Sequence, residues 1–263
     1  MCHCGDKYVR DAGKEFGVRR ILYQPAHFSY FISMKIPNAS PPYKLVVFDF
    51  DGTLADSLGW LVSVMPETAA RFRFSHAGPE NHDYLRSLDA AELLQYLKIP
   101  AWKIPIVALH LRKRMACETD KIPLYPGVSE MLQDLASGRL TLALLSSNSR
   151  NNVLRILGPR LSACFDFYHC EVPYLGKTHQ FGKLLKKSGF HPSEILYIGD
   201  ETRDLEAARS HGVNFGAVTW GFNTPNAFER HQPEYLFEEA ADITRLLSDP
   251  AGNPAHRLPI HRN

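Results

Sequence analysis

The chain has 263 residues, 44% hydrophobic and 22% charged, which at ~150 residues per domain suits one large folded domain or a core carrying an insertion. Lys and Arg number 30 against 28 Asp and Glu, a net charge of +2 that offers no basic excess to displace counterions, so no nucleic-acid partner is expected. The apolar runs stay well short of the ~18 residues that mark a membrane helix, and no membrane partner is expected either.

Residues 1–42 read as an N-terminal extension. Asp6, Asp11 and Glu15 interrupt it, and it lacks the apolar run and small-residue cleavage site of a secretory signal. A mitochondrial presequence would be poorer in acids. Met34 stands just ahead of the first convincing strand, so translation from Met34 and a genuine, partly disordered extension are both open readings. Cys2-His3-Cys4 has no second ligand pair to complete a zinc site. Those cysteines, with Cys117, Cys164 and Cys170, make an odd set without a framework, as expected of free thiols in a reducing, cytoplasmic setting.

Past Pro41-Pro42 the pattern changes. Lys44–Phe50 (KLVVFDF) is short, apolar and rich in β-branched residues, as a strand buried on both faces should be. Similar runs follow at Leu140–Ser146, Ile195–Gly199 and Asn214–Thr219, with a weaker one at Phe165–Val172. Helical periodicity separates them at Val128–Ala136, Asn151–Leu157, Gln180–Ser188 and Asp204–His211. Gly189 and Gly212 stand where left-handed helix ends are expected. Strand alternating with helix predicts an α/β fold with a doubly wound parallel sheet and a Rossmann-like core.

One interval breaks the rhythm. Between Ser57 and Leu124 no buried strand is evident, but Trp60–Phe72, Ala90–Leu97 and Val107–Cys117 show helical spacing, punctuated by Pro100 and Pro105. The expected organisation is a core of residues 43–56 and 124–247, a small helical cap domain of residues 57–123 inserted after the first strand, and an irregular tail over 248–263.

Open α/β sheets carry function at the carboxyl ends of their strands. The first expected strand ends in Asp49-Phe50-Asp51-Gly52-Thr53, two carboxylates that need a cation or a shared proton to sit so close. The next ends in Ser146-Ser147-Asn148, a hydroxyl beside amides suited to phosphate oxygens. Lys177 precedes a helix, and Gly199-Asp200-Glu201-Thr202-Arg203-Asp204 ends a further strand.

Asp49-Phe50-Asp51-Gly52-Thr53, Ser146, Lys177 and Gly199-Asp200 with Asp204 resemble, in order, the four motifs of the haloacid dehalogenase-like hydrolase superfamily. The similarity is greatest to its phosphoglycolate-phosphatase-like branch and spans about residues 43–240. The resemblance implies a Mg²⁺-dependent phosphatase that hydrolyses a small phosphorylated metabolite through an aspartyl-phosphate. Asp49 would be the nucleophile and Asp51 the general acid and base. Ser146 and Lys177 would hold the phosphoryl oxygens. Asp49, the Asp51 carbonyl, Asp200 and Asp204 would serve the metal, with Asp204 either positioning metal waters or holding the lysine, and Glu201 its neighbour.

Thr53, Ser147 and Asn148 are expected to contact substrate, although Thr53 and Asp56 also fit turn and helix caps, and Asn148 and Arg150 also fit helix-start residues. The resemblance places the choice of substrate in the cap, where Arg86 is the first candidate, its fork suiting a carboxylate or second phosphate, with His76, His82 and Arg112 behind it. A phosphomutase and a catalytically weak binding or regulatory protein are the alternatives. A phosphonatase would need a Schiff-base lysine, for which Lys98 and Lys103 are the cap candidates. Oligomeric state is not legible.

Overall fold

The computed structural model describes residues 43–248, apart from 77, 79, 80 and 139. The expected extension over 1–42, with Cys2 and Cys4, and the tail beyond 248 lie outside the described residues.

Six parallel strands form one sheet: β1 (Leu45–Phe48), β2 (Thr141–Leu145), β3 (Phe167–His169), β4 (Ile195–Gly199), β5 (Asn214–Val218) and β6 (Tyr235–Phe237), in the order β3-β2-β1-β4-β5-β6. β1 is central, with Phe48 opposite Leu144 on one side and Ile198 on the other. Its four residues are wholly inaccessible because the pleat sends them alternately into two cores. Val46 and Phe48 join the layer made by α5 (Val128–Ser137), α6 (Arg150–Ser162) and α10 (Ala240–Ser248). Leu45 and Val47 join the layer made by α7 (Lys177–Ser188), α8 (Thr202–Arg209) and Phe228 of α9 (Pro225–Glu229). The expected α/β doubly wound fold is the one observed.

The helical insertion contains α1 (Leu58–Phe72), α2 (His82–Arg86), α3 (Ala90–Tyr96) and α4 (Ile104–Met115). Its two ends are tied at the base, where Ala55 bridges Leu124 and Asp56 N donates to Pro123 O at 2.9 Å. Trp60, Val64 and Met115 extend the core from β1 into the insertion. Asp89 begins α3 with a reciprocal cap: its carboxylate accepts from Ala91 and Glu92 N, and Glu92 accepts from Asp89 N.

Asp56 does not cap α1. The N-cap position is Ser57, and the Asp56 carboxylate instead meets the Tyr125 hydroxyl. The weak run at Phe165–Val172 yields only a three-residue strand. β6, α9 and α10 close the sheet beyond the last expected strand, and α2 is a turn of helix too short to carry a period. Gly189 does end α7 in the left-handed region, and Gly212 follows α8 with φ 67°.

Candidate active site

Strand ends β1, β2 and β4 lie side by side because β1 pairs with both others, and each delivers its next residue to one spot. Asp49 follows Phe48, Ser146 follows Leu145, and Asp200 follows Gly199; all three are buried. Lys177, the first residue of α7, supplies the cation. Its Nζ lies 3.0 Å from Asp49 Oδ2 and is ion-paired with Asp204 Oδ1, and both its partners are as inaccessible as it is. Burial opposes the Lys177 charge, but Asp204 and then Asp49 outweigh it and hold the ammonium above its ordinary range.

Asp204 is itself fixed. Tyr197 Oη donates to its Oδ1 at 3.0 Å and Glu201 N to its Oδ2 at 3.2 Å. Glu201 is in turn clamped by Arg203, through Nε at 2.9 Å and Nη2 at 2.6 Å, and Arg203 stacks on the Tyr174 ring at 4.2 Å. The acids outnumber the bases at the centre. Burial pushes Asp49 up to about 7, with Asp204 adding to the rise and Lys177 opposing it. Burial, then the charges of Glu201, Asp49 and Asp204, push Asp200 far above the carboxylate range.

Oxygens of Asp49, Asp200 and Asp204 come within 4.8 Å of one another. This is a hard, oxygen-only donor set of the kind that holds a divalent cation, and such a charge would relieve the repulsion that raises Asp49 and Asp200. Asp200 is fixed in place by its surroundings. Thr53 Oγ1 donates to Oδ1 at 2.7 Å and Phe222 N to Oδ2 at 2.7 Å. Gly52, at φ +84°, and Gly221 pack so closely that a Cβ on either would sit 2.0 Å or 2.5 Å from Asp200 Oδ2. Both oxygens of Asp204 and both of Asp200 already have protein donors, whereas Asp49 meets Lys177 through Oδ2 and keeps Oδ1 as the freer ligand atom.

Asp51 points elsewhere in the same site, where Asn148 Nδ2 donates to its two oxygens at 3.0 and 3.3 Å. Burial raises Asp51, against the Ser57 hydroxyl and the Asn148 amide. The Asn148 amide has one allowed orientation, because its Oδ1 accepts from Ser149 N at 2.8 Å and from Asn152 Nδ2 at 3.0 Å. Asn152 also donates to the carbonyl of Arg112 on α4, at 2.9 Å. Ser146 Oγ accepts from Asn148 N at 3.0 Å. Ser147 turns its carbonyl to Arg112 Nη1 at 3.1 Å.

The cap candidates separate. Arg86 is on the core, donating from Nη2 to Gly221 O at 2.8 Å and from Nε to Phe222 O at 3.2 Å. Its own carbonyl accepts from Asn223 Nδ2 at 3.0 Å. Arg112 is at the β2 end of the site. Lys103 holds the carbonyls of Phe72 and Arg73 at the end of α1, Lys98 is exposed, and His76 and His82 flank the connection from α1 to α2. Arg150 stacks over the Tyr168 ring at 5.0 Å. Sequence reasoning did not reach Asn152, Asn223, Arg203 or Tyr197. The first two are polar residues near helix and turn signals, a pattern shared with ordinary caps.

Comparison with known proteins agrees with this geometry. The family model described as haloacid dehalogenase-like hydrolase matches residues 46–218. A phosphoglycolate phosphatase of Synechococcus elongatus is 31% identical, over 77% of this chain and 96% of its own length. The pyrophosphatase PpaX of Oceanobacillus iheyensis is 23% identical, over 78% of this chain and 97% of its own. A crystal structure of a candidate phosphoglycolate phosphatase from Lactobacillus plantarum superposes with a TM-score of 0.65 at 27% identity, covering 78% of this chain and 99% of that one. The chain belongs to the haloacid dehalogenase-like hydrolase family, as a phosphatase of that family.

Proposed function

We propose that the protein hydrolyses a small phosphate ester with an acidic leaving group, of the phosphoglycolate type, by covalent catalysis from Asp49. The observation that carries this reading is the buried Lys177 between Asp49 and Asp204, beside an Asp51 that is held apart from them by Asn148. Two carboxylates at one strand end thus sit in different surroundings, as a nucleophile and a proton carrier require.

Asp49 would attack phosphorus with the oxygen that Lys177 leaves open, and the bond from phosphorus to the leaving oxygen breaks. Asp51 gives that oxygen its proton, releasing an alcohol. Asp51 then takes a proton from water as the water attacks the aspartyl-phosphate, which frees inorganic phosphate and restores both acids. Lys177 and Ser146 hold phosphoryl oxygens through both steps. Asp49, Asp200 and the Asp51 carbonyl would hold Mg²⁺, which when bound supplies charge neutralisation for the dianion and the acids. Asp204 acts through Lys177, keeping the ammonium in place, and Thr53 acts through Asp200.

Residues 57–123 would serve as the cap over the core of 43–56 and 124–247. The free thiols Cys117, Cys164 and Cys170 support a cytoplasmic location. Among the described residues no helix is long and apolar enough to cross a membrane. The relatives named as phosphoglycolate phosphatase and pyrophosphatase support an anionic leaving group, a carboxylate in one and a phosphate in the other. The test is phosphate release from a panel of esters with Mg²⁺, against the same panel with chelator; recovery of an isomeric phosphate in place of free phosphate would turn the assignment to a mutase.

A further inference from the structure

Resting on that reading, we infer that Arg112 of α4 is the residue that selects an anionic leaving group. Asp51 must hand its proton to the leaving oxygen, so the leaving group lies on the Asp51 side of the phosphoryl site. That side is built from the end of β2 and the last turns of α4. Asn148 joins the two: its Nδ2 reaches Asp51 and lies 2.9 Å from Met115 Sδ. One turn before Met115, Arg112 is anchored at both ends of its length, through its carbonyl by Asn152 at 2.9 Å and through Nη1 to Ser147 O at 3.1 Å.

The guanidinium is therefore placed but not neutralised. No carboxylate of the described residues is ion-paired with it, whereas Arg203 has Glu201, Arg114 has Glu67 and Arg245 has Asp242. A single carbonyl contact leaves most of its five N–H groups for another acceptor. Arg86, the other cap arginine near the site, has Nε and Nη2 committed to the carbonyls of Phe222 and Gly221. A part-buried, unpaired arginine fork against the leaving-group side suits a carboxylate or phosphate in two parallel hydrogen bonds.

The experiment compares 2-phosphoglycolate with 2-hydroxyethyl phosphate, which has a neutral hydroxymethyl group in place of the carboxylate. Wild type, Arg112→Gln, Arg112→Lys and Lys113→Gln are assayed for kcat/KM on both. Lys113 is the exposed neighbour on α4 and controls for loss of one positive charge. Arg112→Gln is expected to lose on the order of 100-fold on the charged ester and less than about threefold on the neutral one, as when one partner of a desolvated charge pair is removed. Arg112→Lys should fall between, and Lys113→Gln should match wild type.

Binding of both esters is measured calorimetrically to Asp49→Asn with and without Arg112→Gln, so the inference is tested even if turnover is absent. Preference for the charged ester that disappears with Arg112→Gln sustains the inference, and absence of turnover alongside it would count only against the hydrolytic reading. Equal losses on the two esters, no loss on either, or no preference for the charged ester in Asp49→Asn would each overturn it.

Discussion

Arg86, at the end of α2, donates to the carbonyl of Gly221 at 2.8 Å, and Gly221 packs directly on Asp200. The insertion is thereby fastened to the loop that positions a candidate metal ligand. Asn223 completes the fastening: its Nδ2 donates to the carbonyls of Arg86 and Leu88 at 3.0 and 2.9 Å, and its Oδ1 accepts from Thr202 N at 2.9 Å.

Asn223→Ala should therefore loosen the insertion without altering the chemistry at Asp49. Losing buried hydrogen bonds worth ~1–3 kcal/mol should raise KM about tenfold and leave kcat within about threefold. Amide hydrogen exchange over residues 86–88 should accelerate. Unchanged exchange and an unchanged KM would show that the insertion is held by other contacts.

Lys177→Ala leaves Asp49 and Asp204 buried without their cation. Turnover should fall by ~10³ or more, and stability by ~3–5 kcal/mol, the usual cost of stranding half of a buried pair. Adding Asp204→Asn should restore much of the stability and none of the activity. Thermal unfolding and steady-state rates of the two variants check this, and additive losses of stability would count against direct coupling.

The raised acids make metal binding pH-dependent. Asp49 goes from 3.8 to about 7 by burial, so the folded protein holds this proton more tightly than the unfolded chain does. Between those values the unfolded state is the less protonated, and the metal-free protein loses stability from this group as pH rises. Asp200 shifts in the same direction. A cation that removes the repulsion should therefore stabilise more at about pH 8 than at about pH 5. Unfolding midpoints with Mg²⁺ and with chelator, at both values, measure the difference; an equal gain at the two would deny that these acids bind the ion.

Asn148 lowers Asp51 by donating to its charged form. Asn148→Ala should raise the pKa of Asp51, moving the limb of the pH–rate profile that reports it to higher pH, with a loss in kcat of ~10–100-fold. A profile that keeps its position would make Asn148 a substrate contact alone.

Much of this arrangement is legible in the chain. Asp49, Asp51, Ser146 and Asp200 are recognisable because buried apolar runs end in polar groups that a core would otherwise exclude, and the parallel sheet gathers such ends; Lys177, at the start of α7, stands out only through the order of the four motifs. In the cap the sequence puts Arg86 ahead of Arg112. Sequence gives Arg86 a place before a helical run and Arg112 a place within one, but which guanidinium meets the carbonyl of Gly221 and which meets that of Ser147 depends on contacts 135 and 35 positions away. Asp56 misled for a related reason: an acid before a helix is normally a cap, and here Tyr125, brought in by the far end of the insertion, takes it instead. β6 is only three residues long, below the length at which alternation is distinctive. α10 does carry a period in Ala240, Ile243 and Leu247, hidden by its closeness to the Pro- and Gly-bearing tail.

Whether Asp49 is the nucleophile is decided by phosphate release from 2-phosphoglycolate with Mg²⁺, measured for wild type and for Asp49→Asn. Wild type should release phosphate and the variant none, with circular dichroism and an unfolding midpoint close to those of wild type. Release at a comparable rate by folded Asp49→Asn would contradict covalent catalysis at that position.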